Sequence, residues 1–249
     1  MIAFLANPAR FMAVSKPLAP ALGAVAAVLI AVGVWTGLHV PPDYQQGDTV
    51  KIMFVHVPAA ITAMSAYAAL GAASFFGLVF RHSLADAAAK AVAPIGAAFT
   101  FLGLVTGSLW GRPEWGAWWV WDARLTSFLI LFLVYLAYMA VHSAFDDEQK
   151  GARMAAILGL VGLVMLPIVH FSVTWWNSLH QGSTILASGG KLSPAYRIPF
   201  WCMWFGYTFL FGALWLVRIR GEVWRRMALR TAGAAPVSPG PAAQAAQVG

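Results

Sequence analysis

Leu125-Thr-Ser-Phe-Leu-Ile-Leu-Phe-Leu-Val-Tyr-Leu-Ala-Tyr-Met-Ala-Val-His-Ser-Ala-Phe145 contains no Asp, Glu, Lys or Arg. A helix rises about 1.5 Å per residue, so about 20 apolar residues cross the roughly 30 Å hydrocarbon core of a bilayer, and this run is long enough to do so. Five other windows share its character: Leu18 to Val40, Ile52 to Phe80, Ala91 to Trp110, Met154 to Val173 and Ile198 to Val217. One such window could be the buried helix of a soluble protein, but six in series cannot. Composition agrees, since 60% of the 249 residues are hydrophobic and only 10% are charged. The reading is an all-α integral membrane protein, a bundle of six transmembrane helices. The second window exceeds one straight span, and its first turn, near His56 and Pro58, is expected to emerge at the interface. The first is longer than a signal-peptide apolar region and no Ala-x-Ala-like cleavage pattern follows it, which predicts a retained anchor.

Orientation follows from the cations, because Lys/Arg-rich loops stay cytoplasmic. Eleven fall on one side (Arg10, Lys16, Arg81, Lys90, Lys150, Arg153, Arg218, Arg220, Arg225, Arg226 and Arg230) and five on the other (Lys51, Arg112, Arg124, Lys191 and Arg197). Both termini are therefore expected in the cytoplasm, with outer loops at 40–53, 111–124 and 174–197. The organisation predicted is a cytoplasmic N-terminus over 1–17, a six-helix domain over 18–217 and a cytoplasmic tail over 218–249. In that tail Arg218 to Arg230 interleaves cations with Trp224 and Met227, so it is expected to lie on anionic membrane lipid as an amphipathic helix. From Thr231 the Ala, Pro, Gly and Gln composition predicts disorder. With the cations serving topology, the pI of 9.9 requires no nucleic-acid partner.

Ten of the twelve tryptophans fall in the outer half, which a symmetric interfacial belt does not explain. A flat apolar ligand at that surface would, because indole faces stack on extended π-systems; a lopsided anchoring belt is the competing account. The densest cluster is Trp110-Gly-Arg-Pro-Glu-Trp115-Gly-Ala-Trp118-Trp119-Val-Trp121-Asp122-Ala-Arg124-Leu-Thr126-Ser127. Gly111, Pro113 and Gly116 break helical periodicity there, so the segment is expected to bend or lie flat. Asp122 and Arg124 have a structural alternative, pairing with each other or, for Asp122, with a helix N-terminus.

Four of the six histidines, His39, His56, His170 and His180, lie toward the outer side. Histidine is a common haem-iron ligand, although any one of them could equally be a hydrogen-bonded packing residue. His56 sits in an apolar turn and needs a partner, and His180 follows the pair Trp175-Trp176. Cys202 is the only cysteine, which excludes an intramolecular disulfide, a Cys-rich metal site and covalent haem attachment through Cys-x-x-Cys-His.

The run from Trp110 to Ser127 resembles the tryptophan-rich WWD signature of the haem-handling protein family, and the segments around His56 and His180 resemble the two histidine segments that flank it. With six spans and this length, residues 16 to 222 are most similar to the haem exporter protein C (CcmC) branch of that family, which serves bacterial cytochrome c maturation. The resemblance implies a non-covalent haem b at the periplasmic face of the inner membrane, with His56 and His180 as axial ligands and Trp115, Trp118, Trp119, Trp121 and Asp122 in the loop that contacts haem. It also implies delivery to the periplasmic haem chaperone CcmE, beside the ABC transporter subunits CcmA and CcmB and the small membrane protein CcmD.

Haem carries two propionates that need cations; the outer candidates are Lys51, Arg112, Arg124, Lys191 and Arg197, of which Arg124 beside the loop and Lys51, five residues before His56, are the preferred pair. Second partners fixing the ligand rings are expected from the Asn177 amide or backbone carbonyls. Ser188-Gly189-Gly190-Lys191 lacks the first glycine and the final Ser/Thr of a phosphate loop, so ATP use is expected to belong to a partner. The role expected is haem binding and delivery, not enzymatic chemistry. The alternative is a membrane b-type cytochrome in electron transfer, which predicts histidines stacked in two layers along the spans.

Overall fold

The computed structural model describes residues 7–180 and 192–233, and it is helical throughout apart from its connections. Six helical stretches are long and apolar enough to cross a membrane. Helix α1 (Pro8–Leu38) begins with proline at its first position, and the Asn7 side chain accepts from the amides of Ala9 and Arg10. That arrangement satisfies backbone donors that have no partner within the helix. A turn closed by mutual Asp43 and Gly47 backbone hydrogen bonds leads into a 3₁₀ turn (Asp48–Ile52) and helix α2 (Met53–Phe80). Helix α3 (Ser83–Trp115), α4 (Ala123–Ser143) and α5 (Glu148–Val161) are capped by His82, Asp122 and Asp147. The fifth crossing is completed by α6 (Met165–Trp175) after a 3₁₀ turn (Gly162–Val164). Pro167 explains the break, since it has no N–H for the carbonyl of Leu163. Helix α7 (Pro194–Gly233) makes the last crossing.

The bundle is built for a bilayer. Its interior is lined by small residues, with Ala59, Ala63 and Ala66 fully buried, so the backbones approach closely. Large apolar side chains such as Val28 and Val161 cover the outside. Among the interior hydroxyls, Tyr135 donates to the carbonyl of Ala63 at 2.8 Å and Thr100 to that of Gly96 at 2.7 Å, which satisfies them where lipid offers no partner, whereas those of Tyr67 and Ser74 have none among the described residues. The most extensive helix pairings are α1 with α7 and α2 with α3.

Two ends are distinct. At one, the tryptophan end, the 3₁₀ turn meets α3 where Thr49 donates to Glu114, and Tyr196 of α7 donates to the carbonyl of Pro41. At the other, the terminal end, Phe11, Leu84, Ile219 and Val223 form a small separate core. Around it Asp86, Lys90, Glu148, Glu222, Arg225 and Arg226 form an ion-pair network joining α3, α5 and α7.

Several boundaries differ from the sequence expectation. A 3₁₀ turn precedes α2, so the second stretch starts before Ile52, and His56 lies in the first turn of α2, against α3. Helix α3 runs on through Gly111 and Pro113 and stops at Gly116, which has a φ of 75° and donates to the carbonyl of Arg112. The cations after Val217 continue α7 without interruption, since Arg225 and Arg226 are drawn onto Asp86, Glu148 and Glu222. The predicted disorder from Thr231 falls, beyond Gly233, outside the described residues.

Candidate functional site

His56 projects from α2 onto a groove in α3 made by Gly103, Thr106, Gly107 and Trp110. These four recur at helical spacing and so share one face. The His56 Nδ1 lies 3.1 Å from the carbonyl of Gly103 and 3.2 Å from the Thr106 hydroxyl. Thr106 gives its own proton to the carbonyl of Leu102, at 2.7 Å. Both oxygens therefore act as acceptors, so Nδ1 carries the proton of the neutral ring and the Nε2 lone pair is left without a partner from the protein. The ring lies so close to α3 that a Cβ on Gly107 would sit 3.0 Å from His56 Cε1. Trp110 closes the groove with its indole edge-on to the imidazole, at a centroid distance of 5.8 Å.

His180 reaches the same end from the segment after α6. Its Nδ1 is 3.2 Å from Oδ2 of Asp122, and a carboxylate can only accept. Nε2 is again the nitrogen left for another partner. Asp122 is held in turn by the Ser178 hydroxyl at 2.6 Å and by the amide of Leu125 at 2.7 Å, the latter being the N-cap of α4. Burial opposes its ionisation, yet these donors, with His180, keep its carboxyl below the usual carboxylate range. Burial lowers the His180 pKa below the ordinary 6.5, and Asp122 only partly offsets it, so the ring is neutral at neutral pH.

Trp115, the last residue of α3, stands edge-on to His180 at 4.9 Å. The final turns of one helix thus carry the indoles that contact both imidazoles. Beyond Gly116 the chain is irregular up to Asp122, with Trp118 and Trp121 58% and 77% exposed and Trp119 packed edge-on to Trp121 at 5.4 Å. The indole nitrogens of Trp110 and Trp119 are buried without a protein acceptor, a costly state unless something else supplies one.

The cations behave differently from each other. Arg124 bonds to the Ser172 hydroxyl and the carbonyl of His170, both at 3.2 Å, and not to Asp122. Its charge nevertheless acts on both His56 and His180. Lys51 pairs with Asp48 at 2.7 Å in the 3₁₀ turn. Asn177 is exposed and holds neither ring; Gly103, Thr106 and Asp122 do. The other outer histidines stand apart: His39 bonds to the carbonyl of Trp35 and stacks on its indole, and the exposed His170 ring meets Phe171. Lys191 and the Ser188–Lys191 segment lie outside the described residues.

Sequence reading did not single out Gly103, Thr106, Gly107 or Ser178. The first three, with Trp110, carry a readable signal, small and hydroxyl residues at i, i+3 and i+4 ahead of a tryptophan at i+7. Ser178 carries none. The arrangement as a whole offers two neutral imidazoles with unpartnered Nε2 atoms, exposed indole faces, orphaned N–H donors and a nearby guanidinium. Those features fit a flat, apolar, metal-centred molecule with acidic substituents.

The model of one protein family, Heme exporter protein C (CcmC), matches residues 1–233. The chain is 53% identical over 223 residues to the Heme exporter protein C of Bradyrhizobium diazoefficiens, covering 89% of this chain and 85% of that one. To the Escherichia coli K12 protein of the same name it is 48% identical over 220 residues, covering 88% and 89%. To that of Paracoccus denitrificans it is 44% identical over 223 residues, covering 89% and 92%.

Proposed function

Because this chain belongs to the haem exporter protein C family, we propose that it holds a non-covalent haem b between His56 and His180 and hands it to the periplasmic chaperone CcmE. Its role lies in haem export for cytochrome c maturation, as a multi-pass membrane component of transport and not an enzyme. The observation that carries the ligand assignment is the shared state of the two imidazoles, each with Nδ1 engaged and Nε2 open beside the tryptophan segment. Two imidazole ligands would hold the iron low-spin with no open coordination position, which suits storage and transfer. Arg124 is placed to meet a propionate by charge; Lys51 would first have to leave Asp48.

The proposed side is the periplasmic face of a bacterial inner membrane, a reading supported by the eleven-to-five distribution of cations. A cysteine introduced at Gly116 is expected to react with an impermeant maleimide added from the periplasm. Reaction only after the cytoplasmic side is opened would reverse the orientation. Energy for export is assigned to CcmA and CcmB, with CcmD as a membrane companion.

The exposed indoles are the proposed platform for haem and for chaperone contact. Replacing Trp118, Trp119 and Trp121 together with alanine is expected to leave the protein inserted while haem retention and CcmE co-purification fall. Stacking on an aromatic is worth about 1–3 kcal/mol per base in nucleic-acid complexes, which sets the scale for a porphyrin. Unchanged haem content in the triple variant would reduce these residues to membrane anchors.

Acidification supplies a further check. Because the His180 pKa is lowered by burial, its Nε2 stays available as pH falls through 6.5, and proton competition begins only below that value. Haem retention followed by absorbance should therefore hold from pH 8 to about 6.5 and decline under more acidic conditions. Loss centred above pH 6.5 would point to a different ligand.

A further inference from the structure

We propose that a cavity at the terminal end binds the phosphate headgroup of an anionic phospholipid between Arg81 and Arg153. The cavity, about 840 Å³, lies where the ends of α2, α3, α5 and α7 meet. His56 lies near the start of α2 and Arg81 caps its end, so the cavity is about 38 Å from the tryptophan end at 1.5 Å per residue. Three acids line it, and all three are engaged: Asp86 by Arg226, Glu148 by Arg225 and Lys90, and Asp147 by the amides of Gln149 and Lys150. The cations are not all matched. Arg81 and Arg153 both line the cavity and have no hydrogen-bond or ion-pair partner among the described residues.

Arg81 adds an independent observation. It has a φ of 52° and is the only described residue other than glycine with positive φ. Glycine or asparagine ordinarily occupies this left-handed position after a helix. A long cationic side chain kept in a strained backbone conformation, against an open cavity, is the pattern of a residue retained for what its charge meets. The first turns of α3 and α5 also border the cavity, and their positive dipole ends favour an anion there.

The surroundings favour a lipid over a soluble phosphate. The cavity wall includes Leu78, Ala152, Ala156 and Leu229, and on α2 beside it Phe76, Val79 and Phe80 are exposed. An acyl chain would cover this apolar strip, whereas a free anion would leave it bare. Basic pockets between transmembrane helices are recognised sites for acidic headgroups.

The test uses the purified full-length protein in mixed micelles of phosphatidylglycerol and phosphatidylcholine, with bound lipid read by native mass spectrometry. The wild type is expected to retain phosphatidylglycerol in preference to phosphatidylcholine. One cation near an anionic lipid is worth about fivefold in affinity, so the double variant Arg81→Gly with Arg153→Gln should bind on the order of thirtyfold more weakly. Arg81→Gly alone relieves the left-handed strain, so its thermal midpoint in phosphatidylcholine should equal or exceed that of the wild type while phosphatidylglycerol retention drops. That separates loss of the site from loss of the fold. Equal retention of the two lipids by the wild type, or undiminished phosphatidylglycerol on the double variant, would overturn the site. Competition by inorganic phosphate at concentrations comparable to the lipid would overturn the lipid assignment.

Discussion

Replacing either His56 or His180 with glycine is expected to abolish the low-spin haem spectrum of the purified protein and to stop haem reaching its chaperone. Each variant removes an Nε2 that the protein leaves open, and nothing adjacent can substitute, since Nδ1 of the same ring is lost with it. Removing only the hydrogen-bond partner of a metal ligand typically costs 10–100-fold in affinity, so deletion of the ligand itself should exceed that. Imidazole added to the glycine variants should restore part of the spectrum by occupying the vacated volume. His39 and His170 are the controls. His39 also has Nδ1 engaged, by the carbonyl of Trp35, but it lies at the end of α1 and touches neither the α3 groove nor Asp122. If the His39→Gly or His170→Gly protein lost the spectrum while His56→Gly and His180→Gly kept it, the ligand assignment would fall.

Enlarging Gly107 should produce an effect of similar size without touching a proposed ligand. The Cβ of alanine at this position would stand 3.0 Å from His56 Cε1 and 3.5 Å from Nδ1. Alanine therefore asks the imidazole to yield by a few tenths of an ångström, and leucine would drive it out of the groove and off Gly103 and Thr106. The expected series is partial loss of haem in Gly107→Ala and near-complete loss in Gly107→Leu. Helix stability should run the other way, because glycine inside a helix costs roughly 0.5–1 kcal/mol relative to alanine. A protein that melts no lower yet binds haem poorly would locate the defect in the orientation of His56. Normal haem content in Gly107→Leu would mean that this groove does not position a ligand.

The six spans were legible because membrane insertion depends on a property each window carries by itself, length without charge. Their ends were less legible, because they depend on distant partners. The sequence has Arg218 to Arg230 as a cation-rich stretch, but whether it leaves the bundle or extends α7 is decided by Asp86 and Glu148, which lie 132 and 70 positions before Arg218. The proposed site divides in the same way. Tryptophan density and the local setting of His56 and His180 could be read along the chain. The contact between Asp122 and His180, 58 residues apart, could not, and so the acid looked like a cap or a partner for Arg124. It is a cap, and it is also the residue that settles which nitrogen of His180 bears the proton. The groove for His56 was visible in principle as a helical repeat of small residues. Its partner across the helix interface was not.

The pairing of α1 with α7 has a consequence for biosynthesis. Helix α1 finds its principal neighbour only after α2 to α6 have been made, on the order of ten to thirty seconds later at 5–20 residues per second. During that interval the face of α1 that carries Ala19, Ala26, Gly33 and Gly37 must wait in lipid or in the care of the insertion machinery. The bundle closes on α1 only when α7 arrives, like a ring joined at its clasp. A nascent chain halted before Pro194 would hold five crossings and an unclaimed first helix, recognisable to quality-control proteases as unfinished.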